Sequence, residues 1–400
     1  MMPKLNDVVE NIPEALSIYI NQIVYDKKAR GERVYTYSLG EAFFDIPRFE
    51  ISDADWHRGY HYSSSMGLTN LRQKLSNMYT SYGVNVNPEK EILVSAGSKC
   101  LIFMVLQAIL QYGDEVLVPE PAWLSYKEQI KLVGGRHIAV PYTETVYDWE
   151  KYITTKTKAI IINNPTNPSG KLFSAEEFEF LIGLAKKHNL FILSDEAYSD
   201  FLCADDKFLS FANFDSGKEN TIIVNSLSKN MGMSGWRVGY VVAHQDIIKQ
   251  ILKLNQHIVT CAPTVLQDYM AQYFDEILAH TRPQAINMAE KRKRICKIME
   301  QIGIKPMPGV GTFYFLLDVS DFKGTTDELV YDLLINHNIA TVPGAAYGES
   351  TSRFIRFGIG VEDEKTIEQS LKVIKSFIDM PEYDNTKIKQ QMRDMGIING

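Results

Sequence analysis

The sequence predicts an α/β fold, with a large domain built on a mainly parallel sheet flanked by helices and a smaller α+β domain beside it. Two features predict this. The middle of the chain alternates short, uncharged, β-branched runs with longer helical patterns. After about Ile247 that alternation gives way to a long helical stretch and then to a mixed run of strands and helices. A length of 400 residues is ample for two cores of this kind.

The elements follow in order. A helix over Asn6–Lys28 is expected to pack with the smaller domain. Glu91–Ser95 reads as a strand and Lys99–Gln111 as a helix; Glu115–Pro119 and Trp123–Val133 repeat the pair. Arg136–Pro141, Lys158–Ile162, Phe191–Ser194, Thr221–Val224 and Val238–Ala243 are further strands, mostly of the fully buried kind. Ser174–His188 is a helix opened by a capping box, Ser174 with Glu177. The stretch from about Ile247 to Gly303 is helical, with breaks expected at Pro263 and Pro283. Then come a strand of antiparallel character (Thr312–Leu317), a helix (Asp327–Asn336), two strands (Ile339–Val342 and Phe354–Gly358) and a last helix (Glu364–Ile378). The polar tail beyond Met380 reads as loosely ordered in preference to a partner-contacting arm. This divides the chain into a large domain over residues 48–285 and a discontinuous small one over residues 1–47 and 286–400.

Bulk properties exclude several function classes. With 45% apolar and 23% charged residues the composition is that of a soluble globular protein. A net charge of −7 without a basic tract gives no footing for nucleic acid or an anionic membrane. The apolar run Cys100–Leu110 is too short to span a bilayer, and Met1–Asp7 lacks the apolar core of a signal peptide. Cys100, Cys203, Cys261 and Cys296 are scattered, as free thiols in a reducing cytoplasm would be. The eight histidines form no metal-ligand cluster, so no metal is expected.

The chemistry-bearing residues lie at or just past strand ends, where open α/β sheets bind ligands. Lys229, in Ser226-Leu-Ser-Lys229, stands eight residues before Arg237 and just after a buried strand. That suits a lysine forming a Schiff base with a carbonyl cofactor, with the hydroxyl and guanidinium holding a phosphate. Gly97-Ser98-Lys99 opens a helix whose N-terminus also suits a phosphate, although small residues start many helices. Two Asn-Pro pairs make a rigid turn presenting Asn167. Asp195, in Asp195-Glu-Ala-Tyr198, reads either as a carboxylate facing a pyridinium nitrogen or as a helix N-cap. Trp123 is either a stacking platform for a flat ring or an ordinary core aromatic. Arg356, inside an apolar strand, needs an anion: a substrate carboxylate or an internal Asp or Glu.

Together these segments resemble the class I/II aminotransferases, the aspartate-aminotransferase-like enzymes of fold type I that depend on pyridoxal 5'-phosphate (PLP). The resemblance runs from about Ser38 to Ile378 and is most specific at Asn164–Gly170, Asp195–Tyr198 and Ser226–Arg237. It implies that Lys229 is the Schiff-base lysine and proton shuttle, and that Asp195 pairs the pyridinium. Asn167 and Tyr198 would bond the phenolic oxygen, with Trp123 on the ring face. Ser98, Lys99, Ser226 and Arg237 would surround the phosphate, with Gly97 allowing close approach. Arg356 would bind the substrate's α-carboxylate and Gly40 would line the substrate pocket. Tyr62 is similar to a tyrosine that crosses to the neighbouring subunit's phosphate, which implies a homodimer with shared sites. Amino acids and 2-oxo acids are the substrates implied. One departure stands out: the family often has Gly-Glu-Pro-Asp-Phe where this chain has Gly40-Glu-Ala42-Phe43-Phe44, so a relative's specificity does not carry over.

Two other functions compete. A PLP-dependent lyase, cyclase or decarboxylase could use the same residues, although Asp195–Tyr198 is closer to the transaminase pattern. A PLP-binding regulator would normally carry an N-terminal DNA-binding domain, and no basic helix-turn-helix precedes the fold here.

Overall fold

The computed structural model describes residues 3–397. The outermost residues of the expected small domain, 1–2 and 398–400, lie outside the described residues. The strands are β1 (Tyr35–Thr36), β2 (Ile92–Ser95), β3 (Glu115–Pro119), β4 (Arg136–Val140), β5 (Thr157–Asn163), β6 (Phe191–Asp195), β7 (Thr221–Ser226), β8 (Gly239–Val242), β9 (Tyr314–Asp318), β10 (Ile339–Ala340), β11 (Val342–Pro343) and β12 (Phe354–Gly358). A seven-stranded sheet runs in the order β2-β8-β7-β6-β5-β3-β4. All its neighbours are parallel except at β8, which runs antiparallel to β2 and β7. The strands read as continuous apolar runs because both faces are covered: Ile160 and Ile162 face one core, Ala159 and Ile161 the other. Helix Ser98–Ile109 packs on one face, and helix Ala175–His188 on the other, beginning at the predicted Ser174–Glu177 capping box.

A second core gathers around the antiparallel sheet β11-β12-β9, where helices Leu16–Ala29, Thr326–His337 and Glu364–Ile378 bury their apolar faces. No helix among the described residues is long and apolar enough to cross a membrane.

The structure corrects several boundaries. The first helix is two, Asp7–Glu10 and Leu16–Ala29, with Pro13 between them. Pro283 does not break its helix, which runs Phe274–Ile302. Buried Thr281, Ala285, Ala289, Arg292, Ile295 and Met299 line one face of that helix, and their packing outweighs the ~3 kcal/mol that an interior proline costs. The chain breaks instead at Tyr273, which ends one helix and caps the next. The expected strand Ile339–Val342 splits at Thr341: β10 pairs in parallel with β1, a short strand not expected from the sequence, and β11 pairs with β12. Among its described residues the tail is ordered, not loose: helix Thr386–Asp394 sets Ile388 and Met392, one turn apart, against Tyr331.

One buried acid links fold to pH. Glu196 Oε1 accepts from Ser194 Oγ at 3.1 Å, Ser210 Oγ at 2.9 Å and the Phe211 N–H at 3.1 Å. Burial nevertheless pushes its pKa from 4.5 up to about 8. The folded protein then keeps a proton that the unfolded chain releases, so this group's stabilisation is full below pH 4.5 and lost as pH rises to about 8. Melting scans from pH 5 to 9 should show Glu196→Gln losing less stability than the wild type across that window; parallel curves would refute the assignment.

Candidate active site

The C-terminal ends of β5, β6 and β7 meet the start of helix Ser98–Ile109 around a cavity of about 450 Å3. Register explains the meeting: Asn163 stands opposite Asp195, and Ser226 opposite Gly239, which lies against the Gly97–Ser98 peptide. Eleven of the residues singled out in the sequence line this cavity: Gly40, Ser98, Lys99, Trp123, Asn167, Asp195, Tyr198, Ser226, Lys229, Arg237 and Arg356. Gly97 supports it from behind. A Cβ there would lie 2.5 Å from the Arg237 guanidinium, and its φ of +89° is itself a glycine conformation. Tyr62 is not brought to this cavity; it stands 86% exposed on the surface.

Lys229 follows Ser226 by less than one helical turn, in the short helix Leu227–Asn230. Its Nζ donates to the Gly40 carbonyl. Burial pushes this amine down from 10.5 to about 8, opposed by Glu41 and assisted by the Arg356 and Arg237 charges. Asp195 ends β6 and no helix follows it, so the N-cap alternative is not realised. Its Oδ2 accepts from the Tyr126 hydroxyl at 2.6 Å and its Oδ1 from the Ala197 N–H at 3.2 Å. Burial raises its pKa from 3.8 to about 6; those two bonds and the Lys229 charge hold it back from rising further. Asn163 Oδ1 accepts the Asn167 N–H at 2.6 Å, which sets the turn so that Asn167 Nδ2 donates to Tyr198 Oη at 3.2 Å. Trp123 sits in the turn before helix Ser125–Leu132, edge-on to Tyr126 and 5.0 Å from Lys99 Nζ.

Arg356 donates to the Ser38 carbonyl at 2.5 Å and lies between the Tyr314 and Tyr347 rings. The internal ion pair considered from sequence is not formed: Arg356, Arg237, Lys99 and Lys229 have no side-chain carboxylate within 4.0 Å among the described residues. Arg237 instead donates to Ser228 Oγ at 3.3 Å and the Ser234 carbonyl at 2.8 Å. Asp195 is the one acid among the cavity-lining residues described. Four cations around one carboxylate make a site for anions.

Sequence reasoning missed Tyr126, Tyr314, Ser228, Ser234 and the wall formed by Ser17, Ile18 and Asn21. Tyr126, Ser228 and Ser234 carried a signal, since each stands within three residues of a named candidate. The helix Leu16–Ala29 carried none, because only tertiary packing brings it to the cavity.

Residues 50–374 match the sequence model of the family described as "Aminotransferase class I and II". The chain belongs to that family. Among its relatives, an aspartate aminotransferase of Pyrococcus abyssi is 32% identical over 86% of this chain and 92% of its own. An aromatic-amino-acid aminotransferase of Thermococcus litoralis is 28% identical over the same shares, 86% and 92%. The structure of an aspartate aminotransferase from Thermotoga maritima superposes with a TM-score of 0.82 at 26% identity, covering 94% of this chain and 100% of the other.

The aminotransferase depends on PLP, and the cavity fits that group. The Asn167 Oδ1 and Arg356 Nε atoms are buried without a partner, as atoms awaiting a ligand are. The Gly97 cradle and the hydroxyls of Ser98, Ser226 and Ser228 around Arg237 and Lys99 are the donor set a phosphate takes.

Proposed function

We propose that the protein moves the amino group of an L-amino acid to a 2-oxo acid at this cavity, with Lys229 as the covalent anchor and proton carrier. The observation carrying this reading is the convergence on one cavity of a half-buried amine, a buried carboxylate and a buried guanidinium without a carboxylate partner among the described residues. Bound PLP supplies an electrophilic carbonyl and a ring that accepts the electron pair left when the substrate's Cα–H bond breaks. Ser98, Lys99, Ser226 and Arg237 would hold its phosphate, Asp195 its ring nitrogen, Asn167 and Tyr198 its ring oxygen, and Trp123 its face. Arg356 would take the substrate's α-carboxylate, with Gly40 leaving room beside it. An amine held near pKa 8 loses its proton close to neutral pH, as a base at Cα must. Asp195, at about 6, remains ionised at neutral pH opposite a cationic nitrogen.

Small amino and 2-oxo acids are the partners in this reading, in the cytoplasm; because the Gly40–Phe44 segment departs from the family pattern, the aspartate and aromatic amino acids of the relatives' names are donors to screen, not an assignment. A homodimer is part of it. Tyr62 is exposed, yet its segment is pinned: Thr264 Oγ1 donates to the His61 carbonyl at 2.9 Å and Asn255 Nδ2 to the Ser65 carbonyl at 2.7 Å. A hydroxyl presented on a fixed backbone suits a neighbouring subunit's phosphate. Tyr62→Phe should therefore weaken PLP binding by about tenfold to a hundredfold, the loss of one bond to a charged group; unchanged affinity in equilibrium titration would remove Tyr62 from the site.

The test of function is a half-reaction. Single L-amino acids added to the PLP-loaded protein should bleach the lysine-linked absorbance, and a 2-oxo acid should restore it. Release of carbon dioxide, or of a β-substituent with pyruvate, in place of that reversal would favour the decarboxylase or lyase reading.

A further inference from the structure

Outside the cavity, the residue that follows β3 is bonded to the loop that precedes β12. Glu120 is buried and both its carboxylate oxygens are engaged. Oε1 accepts from the Glu349 N–H at 3.0 Å; Oε2 accepts from the Ser350 N–H at 2.9 Å and its hydroxyl at 2.5 Å. Two residues on, the Ala122 N–H donates to the Tyr347 carbonyl at 2.7 Å. Gly348 has no space for a side chain, because a Cβ would lie 2.4 Å from the Glu120 carboxyl carbon. Glu120 itself does not line the cavity. A carboxylate gripped by N–H and O–H donors makes stronger hydrogen bonds than a neutral acceptor does.

What this junction connects lies on both sides of the cavity. Trp123 is three residues beyond Glu120 in sequence. Tyr347, on the bonded loop, is buried with its ring centroid 5.0 Å from the Arg356 guanidinium, and the Tyr314 ring is 4.7 Å from it. With one Arg356 bond to the Ser38 carbonyl and Nε free, these two rings provide much of what aims the guanidinium.

We propose that Glu120 is a positioning residue: by tying the Tyr347–Ser350 loop to the end of β3, it sets the span between Arg356 and Trp123 at which substrate and cofactor meet. The proposal rests on Arg356 as the partner of the substrate carboxylate. Misplacing a reacting group by about 1 Å costs on the order of a hundredfold, so the span matters more than the bond count.

The experiment compares PLP-loaded wild type, Glu120→Gln, Gly348→Ala and Arg356→Leu. The substrates are the best amino acid from the half-reaction screen and its carboxamide, which lacks the anionic carboxylate. The readouts are kcat/KM for each, PLP affinity and melting temperature. Glu120→Gln and Gly348→Ala should each cut the acid-to-amide preference by about tenfold or more, with PLP affinity and amide turnover within about threefold of wild type. Arg356→Leu should abolish the preference. If it does not, the reading of Arg356 fails and the proposal with it. If it does, while both other variants keep the wild-type preference, Glu120 only closes a loop and the proposal is overturned. A parallel fall in PLP affinity and amide turnover in Glu120→Gln would make Glu120 a residue that holds the fold, and would overturn the proposal as well. Glu120→Gln keeps the side chain's shape, so the comparison stands even where Gly348→Ala fails to fold.

Discussion

Lys229→Ala should fold, bind PLP without the lysine-linked absorbance, and lose nearly all turnover. Two separate losses combine. The covalent anchor goes, and so does the amine that exchanges the proton at Cα; removing a positioned acid–base group alone costs on the order of 10² to 10⁴ in rate. The amine is suited to that work by its surroundings, since burial brings it from 10.5 to about 8. Lys229→Arg should not restore activity, because a guanidinium does not release its proton in this range. Borohydride reduction followed by peptide mapping should place the trapped PLP on Lys229. An adduct on another lysine, or near wild-type turnover in the alanine variant, would end the assignment.

Asp195→Ala should keep part of its PLP affinity and lose activity by orders of magnitude. The carboxylate would hold a proton on the ring nitrogen, and an unprotonated ring accepts electrons poorly. The site invests in that carboxylate: it is buried, its pKa is raised to about 6, and the Tyr126 and Ala197 donors keep it from rising further. Removing it leaves the Tyr126 hydroxyl buried without its acceptor, so some stability should fall too. Asp195→Glu, which retains the charge, should be the milder change. Single-turnover rates with a deuterated Cα separate the outcomes. A slow, isotope-sensitive step is expected in the alanine variant; wild-type rates would reduce Asp195 to a turn residue.

The legibility of the site follows from where its parts lie in the chain. Lys229, Asp195 and Asn167 were readable because each sits in or directly after a buried strand, beside turn-forming or small residues, and parallel strands bring such ends together. Arg356 stood out because a lone charge in an apolar strand needs partners; those present are the Ser38 carbonyl and the Tyr314 and Tyr347 rings, with Nε left without one. The Glu364–Ile378 helix and β12 were placed to the residue, since amphipathic period and apolar run were unambiguous there. What failed to show is what depends on distant packing. Nothing local in Ser17, Ile18 or Asn21 says that they face a cavity built mainly by residues more than seventy positions away. Pro283 misled because the penalty is local and the compensation is not. The Thr386–Asp394 helix was overlooked because two apolar residues are too thin a signal for a helix whose stability comes from its dock.

The reversal of β8 has a mechanical consequence. Were β8 parallel to β7, the chain leaving β7 would have to cross back to the opposite end of the strands before re-joining the sheet. Here it turns back, and Ser226 and Gly239 face each other at the two ends of the excursion that contains Lys229 and Arg237. Lys229 and Arg237, proposed as anchor and phosphate partner, thus sit on one loop whose two feet are paired to each other across neighbouring strands, beside Asp195 on the next strand. The floor of the site is thus built on paired strands. The wall that reaches it from outside the sheet is different in kind: Ser17, Ile18 and Asn21 come from the helix Leu16–Ala29, which is not paired to those strands, so side chains there are the ones whose replacement should alter the shape of the cavity without touching its floor.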